Sequence, residues 1–391
     1  MDKLKNFIPF GAPKFDKHTE QEVIKTLRSG WIGTGPQTEK FEKKIAEYLG
    51  VENAVAVSSC TAGLHLSLLV SGIKQGDEVI TSPMTYIATA SAIMQAGAKV
   101  KFADIDLATY NIKSDEIGKN ISKKTKIILP VHFGGLPADL AAIKKIIGRK
   151  KIKIIEDAAH AIGARYDGKK IGKSDNLVCF SFYPNKNITS CEGGIIAVPD
   201  KKLADKIRVL STHGLDADAW KRYHRRSLRV SLAVMPGYKY NLTDLNSTIG
   251  LQQLKKVEKW QRLRENYAKI YDKFFSDIPG VYIQKRPKNI RRNRHSLHLY
   301  SLRLDEEVFK HGTRDRVVKK LLAKNIGASV HYYAIHLHPL FRKLGYKKGD
   351  FPIAEKVSQE IFSLPLTPHL TTNVIRTIAG ITKETIKNNL S

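Results

Sequence analysis

The sequence has few cysteines and no long apolar run, and both shortages limit what the chain can be. Cys60, Cys179 and Cys191 cannot all pair and lack metal-ligand spacing, so we expect a reducing, cytoplasmic setting. The longest apolar stretch, Ile188 to Val198, is broken by polar residues and two glycines, whereas a membrane helix needs ~20 apolar residues. We therefore expect no membrane span, and the first residues show no signal-peptide core.

Acidic residues are scarce relative to basic ones. The 66 Lys and Arg against 37 Asp and Glu give a formal charge of +29, which suits polyanions such as nucleic acid, anionic lipid or phosphorylated small molecules. The densest basic clusters are residues 221–229 and 285–295, but no nucleic-acid motif, heptad or repeat accompanies them. We interpret the charge as a solvated basic surface, or a rim that attracts an anionic substrate, rather than a nucleic-acid site.

Short β-rich runs alternate with helical segments between residues 53 and about 245. EVITSP, YIATASAIMQAG and KVKFADID follow one another, as do KIILPVHF, DLAAIKKIIGRK and KIKIIEDAA. Such alternation is typical of βαβ units and a mainly parallel sheet, which makes the fold class α/β. Residues 17–49 predict two helices ahead of this region, because apolar residues recur at helical spacing on both sides of a WIGTGP turn.

The last third of the chain has a different pattern. Residues 245–275 predict a long connecting helix, while HSLHLYSLRL and ASVHYY predict strands with the helix RDRVVKKLLAKN between them. We expect a large domain over residues 1–245 and, over residues 246–391, the connector with a small α+β domain. No Pro/Ser-rich linker separates the two parts, so they should pack closely.

Three residue types with the chemistry of pyridoxal 5′-phosphate (PLP) occur in order within one segment. Asp157 ends an apolar strand, Ser181 follows another, and Lys186 comes five residues later, ahead of a Gly-Gly pair. PLP needs an amine, a carboxylate for its ring nitrogen and donors for its phosphate. Taken singly, Asp157 could be a helix cap, Ser181 a turn residue and Lys186 a surface lysine. Their combination and order favour a cofactor site.

Two strings in this segment carry a family resemblance. EDAAHA, followed by SFYPNKNITSCEGG, resembles the signature of the DegT/DnrJ-type sugar aminotransferases. This resemblance implies a fold-type I PLP aminotransferase that forms a homodimer with active sites at the subunit interface. Further stretches also resemble the family, occur in the order that the family has and cover almost the whole chain: Ser29–Glu42, Ser58–Leu68, Gly76–Ile93, Val131–Asp139, Gly237–Leu254, His331–Phe341 and Phe362–Thr371.

The resemblance implies roles around the cofactor ring. Lys186 is the Schiff-base lysine, and Asp157 pairs with the pyridine nitrogen. His160 contacts or supports the ring hydroxyl, and Tyr86 stacks on the ring. Two plainer readings stay open: Tyr86 as an ordinary core residue and His160 as a satisfied buried histidine. His132 and Asp139 we interpret as structural turn residues, outside the site.

The resemblance also implies phosphate contacts. Thr61 and Ala62 offer backbone amides at a turn that opens a helix, which is a natural anion site, and Ser181 offers its hydroxyl. Many family members have glycine where this chain has Cys60, so the turn loses a residue that tolerates positive φ. Lys239 stands where many members place an asparagine that reaches the phosphate of the neighbouring subunit, and a lysine there can act as a point charge.

The resemblance extends to the substrate, because His331 opens a motif that the family uses near the substrate. The stretch GYKYNLTD also resembles the corresponding stretch of the subgroup that aminates UDP-4-keto-arabinose. We therefore expect transfer of an amino group from glutamate to the C4 carbon of a nucleotide-linked keto-sugar, for surface glycan or lipopolysaccharide synthesis. Amination at C3 or of another sugar stays open, as does a non-catalytic regulatory or nucleic-acid-binding protein on the same scaffold. Lys186 argues against the family's dehydratase branch, which has histidine there.

Overall fold

The computed structural model describes residues 4–216, 231–287 and 292–390. Two helices come first, α1 (Lys17–Arg28) and α2 (Pro36–Leu49), where the apolar periodicity predicts them. Asp16 caps α1, since its carboxylate accepts a hydrogen bond from the Thr19 N–H at 2.9 Å. Within the described ranges, no helix has both the length and the apolar character needed to cross a membrane.

A seven-stranded sheet forms the centre of the fold, and a two-stranded hairpin lies beside it. The strands between residues 53 and 198 are β1 (Asn53–Val57), β2 (Glu78–Thr81), β3 (Lys99–Phe102), β4 (Thr125–Leu129), β5 (Lys153–Asp157), β6 (Arg165–Tyr166), β7 (Lys169–Lys170), β8 (Leu177–Ser181) and β9 (Gly194–Val198). The order in the large sheet is β1-β9-β8-β5-β4-β2-β3, and β6 pairs with β7. Only β9 runs antiparallel to its neighbours in this sheet, so the predicted mainly parallel α/β fold is confirmed.

Helices connect these strands and cover the sheet. They are α3 (Cys60–Val70), α4 (Ile87–Gln95), α5 (Ser114–Asn120), α6 (Leu140–Ile147) and α7 (Lys201–Ser211). Alternate residues of one strand enter different apolar clusters: Cys179 packs in one, whereas Val178 and Phe180 pack in another. Both faces of the sheet are therefore covered, which explains why its strands are nearly continuous apolar runs.

Strand β9 passes very close to the start of α3. Only glycine therefore fits at the first position of β9. A Cβ atom on Gly194 would lie 2.6 Å from the amide nitrogen of Cys60 and 2.6 Å from the carbonyl carbon of Ser59. The second glycine of the EGG string is therefore a packing requirement at the N-terminus of α3, where a phosphate site is predicted.

The C-terminal part contains a second, antiparallel sheet with the strand order β10-β11-β12. Its strands are β10 (Val281–Ile283), β11 (Tyr300–Leu304) and β12 (Ile361–Leu364). The helices of this part are α8 (Asp244–Leu254), α9 (Val257–Phe275), α10 (Thr313–Ala323), α11 (Pro339–Lys343), α12 (Pro352–Glu360) and α13 (Thr372–Lys387). Helix α13 packs against α9 and α10, and together they bury a separate apolar cluster.

The N-terminal segment also packs on this part. The Ile8 N–H donates to the Asn325 carbonyl at 2.8 Å, and the Gly327 N–H donates to the Ile8 carbonyl at 2.8 Å. Leu4 and Ile8 pack against the same apolar cluster. The first described residues thus contact the chain about 320 residues later.

Two details of the sequence prediction are wrong. The connector is two helices, because α8 ends at Leu254 and α9 begins at Val257. Residues 328–333 form no strand, only an isolated bridge between Ser329 and Ser363. The alternating pattern of ASVHYY resembles a strand, but the side chains of His331 and Tyr332 hydrogen-bond elsewhere.

The N-terminus of α2 is capped by a residue more than 200 positions away. Its own N-cap residue, Gly35, has no side chain that could accept a hydrogen bond from the helix amides. The buried carboxylate of Asp244 accepts hydrogen bonds from the backbone N–H groups of Gly35, Gln37 and Thr38 at 2.8, 3.1 and 2.8 Å. It also accepts one from the Thr38 hydroxyl at 2.8 Å. Helices α2 and α8 are thereby joined at their ends.

Replacing this carboxylate should be far more damaging than replacing an ordinary cap. We expect Asp244→Ala to lower the free energy of unfolding by about 3 kcal/mol, because buried amides lose a charged acceptor. Asp200→Ala is the matched control: Asp200 is exposed and, in the part of the chain that the structure describes, accepts only from the Leu203 N–H, so we expect a loss of about 1 kcal/mol. Denaturation of the two apoproteins measures the difference, and equal losses would contradict the bridging role.

Candidate active site

The carboxyl ends of four parallel strands meet at one edge of the large sheet, where ligands bind in open α/β folds. Thr61 follows β1, Tyr86 follows β2, and Asp157 and Ser181 end β5 and β8. A cavity of about 320 Å³ opens at this edge. The strand topology thus brings together residues that are up to 120 positions apart.

Seven of the nine predicted site residues line this cavity, and two do not. The two that do not line it are Ala62 and Lys239. Those that line it are Thr61, Tyr86, Asp157, His160, Ser181, Lys186 and His331. Their roles stay predictions, but most of them share one cavity.

Lys186 lies in the loop between β8 and β9. Hydrogen bonds across the loop fix its path: the Phe182 N–H donates to the Gly193 carbonyl at 2.9 Å, and the Lys186 N–H donates to the Tyr183 carbonyl at 3.0 Å. Burial lowers the pKa of the Lys186 amine to about 8, although the nearby Cys60 and Asp157 oppose the shift. About a tenth of the amine is therefore neutral at pH 7, enough for it to act as a nucleophile.

Asp157 is a buried carboxylate without an ion-pair partner among the described residues. It is 5% exposed. Burial raises its pKa, opposed by hydrogen bonds from the Thr89 hydroxyl at 2.7 Å and the Ala159 N–H at 3.0 Å, and by the charge of Lys186. Buried charges are normally paired, so this carboxylate fits a cationic group that a ligand would bring.

His160 is buried beside the cavity. Its Nε2 lies 3.1 Å from the Tyr332 hydroxyl, whereas its Nδ1 has no hydrogen-bond partner among the described residues. The ring centroids of His160 and His298 lie 4.4 Å apart, with the two rings tilted by 33°. Burial lowers the pKa of His160 well below its usual value, and the charge of Lys186 adds to this. The protein itself therefore does not fully satisfy His160.

The N-terminus of α3 faces the cavity with Cys60 and Thr61. Ser59 caps this helix, since its hydroxyl accepts from the Ala62 N–H at 3.1 Å. The amide of Ala62 is thus already used within the protein, while Thr61 and the Ser181 hydroxyl stand at the cavity wall. The arrangement suits an anion at the positive end of α3.

The mouth of the cavity contains aromatic and imidazole groups. Tyr86 is 60% exposed, so it is no core residue. His331 accepts or donates a hydrogen bond to the Ser363 hydroxyl at 3.1 Å, and burial together with the charge of Lys186 lowers its pKa to about 3. His331 is therefore neutral at physiological pH and can act as a hydrogen-bond acceptor or donor.

Lys239 lies on the surface and does not line the cavity. Its Nζ donates to the Asn241 side-chain carbonyl at 2.7 Å. Its predicted contact with phosphate would have to be made across a subunit interface.

Thr89 and Tyr332 were missed by the sequence reasoning. Thr89 lies three residues after Tyr86, hence on the same side of α4, and that spacing was the available signal. Tyr332 stands next to the predicted His331, but the strand predicted for this segment would have pointed the two side chains to opposite faces. The irregular backbone lets both line the cavity.

His132 and Asp139 have the structural roles expected of them. His132 accepts from the Ala138 N–H at Nδ1, 3.0 Å away, and its Nε2 therefore donates to the buried Glu156 at 2.9 Å. Asp139 caps α6 by accepting from the Ala142 N–H at 3.1 Å.

The basic clusters show no continuous cationic face in the part that the structure describes. Residues 221–229 lie outside the described residues, as do residues 288–291 of the second cluster. The described arginines of the second cluster pair with acids: Arg286 with Asp272, Arg292 with Asp167 and Arg294 with Glu258. These pairs favour a solvated surface over a nucleic-acid site.

Comparison with known proteins agrees with this geometry. The chain matches the DegT/DnrJ/EryC1/StrS aminotransferase family over residues 13–382. It is 43% identical to the uncharacterized protein MJ1066 of Methanocaldococcus jannaschii, over 98% of this chain and 99% of that protein. It is 40% identical to the spore coat polysaccharide biosynthesis protein SpsC of Bacillus subtilis, over 99% of each chain.

A solved structure is similar along the whole chain. The putative sugar aminotransferase Spr1654 of Streptococcus pneumoniae, in its pyridoxamine phosphate (PMP) form, superposes with a TM-score of 0.91 at 29% identity, covering 98% of this chain and 100% of that one. Spr1654 has also been solved in its PLP form. The chain belongs to the DegT/DnrJ/EryC1/StrS aminotransferase family, and its fold is that of the fold-type I enzymes. It is accordingly a PLP-dependent aminotransferase of a sugar aminotransferase family.

The residues of the cavity fit PLP. Among the described residues, Asp157 has no ion-pair partner and Nδ1 of His160 has no hydrogen-bond partner, and the amine of Lys186 has a lowered pKa. A pyridine nitrogen, a phenolic oxygen and an aldehyde would satisfy these three groups. PLP supplies an electron sink and a carrier for the amino group.

The lowered pKa of Lys186 predicts how its capture of PLP depends on pH. A neutral amine is required, so the rate at which apoprotein takes up substoichiometric PLP should rise about tenfold per pH unit below pH 8 and level off above it. Absorbance after rapid mixing measures this rate. Borohydride reduction and peptide mapping should then place the label on Lys186, and the Lys186→Ala variant should give none. A rate that keeps rising to pH 10, as for an exposed lysine, would contradict the prediction.

Proposed function

We propose that the chain transfers an amino group from glutamate to the C4 keto group of a UDP-linked sugar, in two half-reactions that share one site. The main support is a single cavity that holds an amine of lowered pKa, an unpaired buried carboxylate and a helix N-terminus. The names of SpsC and Spr1654 point to sugar amination for a surface polysaccharide. The chain's excess of basic residues suits a diphosphate-linked substrate.

In this proposal each residue has a defined task. Lys186 would hold PLP covalently and, once released from it, move a proton between the substrate carbon and the cofactor. Asp157 would keep the ring nitrogen protonated, while Tyr86 would cover the ring. Thr61 and Ser181 would bind the phosphate.

His331 would contact the sugar or the amino donor, because it is neutral and lies at the cavity wall. The division into residues 1–245 and 246–391 remains part of the proposal. The N-terminal segment is an exception to this division, because its backbone hydrogen-bonds to residues 324–327 of the C-terminal part.

A substrate panel tests the proposal. UDP-, GDP- and dTDP-linked sugars with a keto group at C4 or C3 would be offered with glutamate, and formation of 2-oxoglutarate would be followed. We expect the highest kcat/KM for a UDP-linked 4-keto-sugar, and no turnover by Lys186→Ala. Faster amination of a 3-keto-sugar would overturn the C4 assignment, and turnover only with amines other than glutamate would overturn the donor.

We also propose that the enzyme is a homodimer in which Lys239 reaches the cofactor phosphate of the partner. In one chain Lys239 is exposed and does not line the cavity, so we assign a contact of this kind to a second copy. Lys239→Ala should then weaken PLP binding about tenfold or more, since a charge-assisted contact contributes about 1.5–3 kcal/mol. Lys25→Ala, an exposed lysine paired with Glu22, should leave PLP affinity unchanged.

Mixed dimers test whether Lys239 acts on the partner's site or is only a surface residue. Lys186→Ala chains combined with Lys239→Ala chains should recover activity, because one site of each hybrid dimer receives both intact residues. Unchanged PLP affinity in Lys239→Ala, together with no recovery on mixing, would show that Lys239 is only a surface residue.

A further inference from the structure

Tyr332 has a position that the proposed roles do not use. Its hydroxyl lies 3.1 Å from Nε2 of His160, and its ring is nearly parallel to that imidazole. Phe133 packs edge-on against the Tyr332 ring at 6.1 Å, and Tyr86 lies 6.0 Å away. Aromatic neighbours thus hold the Tyr332 ring beside the imidazole.

The charge state of His160 limits what this contact can be. Burial, together with the charge of Lys186, keeps the pKa of His160 low. A neutral imidazole has one N–H and one bare nitrogen. The hydrogen bond with Tyr332 therefore decides which ring nitrogen of His160 has the proton.

Two observations indicate that Tyr332 is the donor. A phenol is a stronger acid than a neutral imidazole N–H, and an imidazole nitrogen is a better acceptor than a phenolic oxygen, so O–H to N is the favoured direction. Among the described residues, the Tyr332 hydroxyl has no acceptor other than His160. Nε2 then accepts, and the proton of His160 lies on Nδ1.

Nδ1 is the ring atom that the protein leaves without a partner. It is buried and makes no hydrogen bond in the described part of the chain. The neighbouring His298 does not satisfy it: the two rings are tilted by 33° with their centroids 4.4 Å apart, and Nδ1 of His298 lies 3.3 Å from the Asn187 side-chain carbonyl instead. An unpaired buried N–H is unfavourable, so a ligand acceptor is expected there.

We propose that Tyr332 is a positioning residue that fixes His160 as its Nδ1–H tautomer, and that this N–H donates to the phenolic oxygen of PLP. The proposal rests on PLP occupying the cavity, but its first part concerns the apoprotein alone. A hydrogen bond from this N–H would lower the basicity of the phenolic oxygen. That oxygen would then bind less tightly the proton that it shares with the nitrogen of Lys186. Tyr332 would thereby tune the cofactor without touching it.

The first test uses apoprotein labelled with [15N]histidine. We expect the His160 resonances, assigned by their loss in His160→Gln, to show a protonated Nδ1 and a bare Nε2. In Tyr332→Phe the two tautomers should mix or reverse. A protonated Nε2 in the unmodified protein would overturn the proposal, whatever the substrate proves to be and whether or not the variant folds.

The second test is an absorbance titration of the holoenzyme against pH. Tyr332→Phe should raise the pH midpoint of the cofactor's spectral change by about 0.5–1 unit, since the donor is lost from part of the population. Tyr333→Phe is the matched control, because Tyr333 is the adjacent tyrosine, is 54% exposed and makes no contact with His160. Its midpoint should be unchanged.

A double variant separates positioning from packing. In a His160→Gln background, Tyr332→Phe should shift the midpoint no further, because its effect passes through His160. An equal shift in both backgrounds would mean that Tyr332 acts on the cofactor directly or through packing, and would overturn the proposal.

Discussion

The buried carboxylate of Asp157, without a cationic partner in the described chain, is the constraint on which the site depends. Strand β5 carries it to the sheet edge, and the Thr89 hydroxyl and the Ala159 amide hold its oxygens. A ligand that brings a cationic group would complete its pairing. Its neighbours have the same character: Lys186 is an amine shifted towards neutrality, and His160 keeps one nitrogen free. The cavity is thus shaped by charges and donors that the protein leaves unsatisfied.

Much of the fold could be predicted from the sequence because its signals are local. Apolar runs of four or five residues between helical segments predict βαβ units, and the structure confirms a sheet with one antiparallel strand. That exception, β9, has no local signal, since a strand's direction is set by its pairing with β1 and β8, which lie far from it or before it in the sequence. The strand predicted at residues 328–333 is wrong because alternation cannot distinguish a pleated strand from an irregular segment whose polar side chains are drawn into a cavity.

The site was predictable to a similar degree. Asp157, Ser181 and Lys186 could be found because their chemistry is distinctive and they follow strands whose ends must meet. Thr89 and Tyr332 were missed: the spacing of Thr89 from Tyr86 was a weak signal, and a tyrosine in an apparent strand has no chemistry of its own until its partners are known. Ala62 shows the converse, because its amide is taken by Ser59, and only the cap geometry reveals this. Residues that act through another residue are thus the ones that a sequence conceals.

The contact between Asp244 and the start of α2 has a consequence for synthesis on the ribosome. Residues 35–38 emerge more than 200 residues before the carboxylate that accepts their amide protons. During that interval α2 has an open N-terminus and no partner for part of its apolar face, since Phe41 packs around Gly250 of α8. Contacts between residues so far apart in the sequence form late, and they lower the rate of folding. The nascent N-terminal helices would therefore be the natural target for a chaperone until α8 arrives.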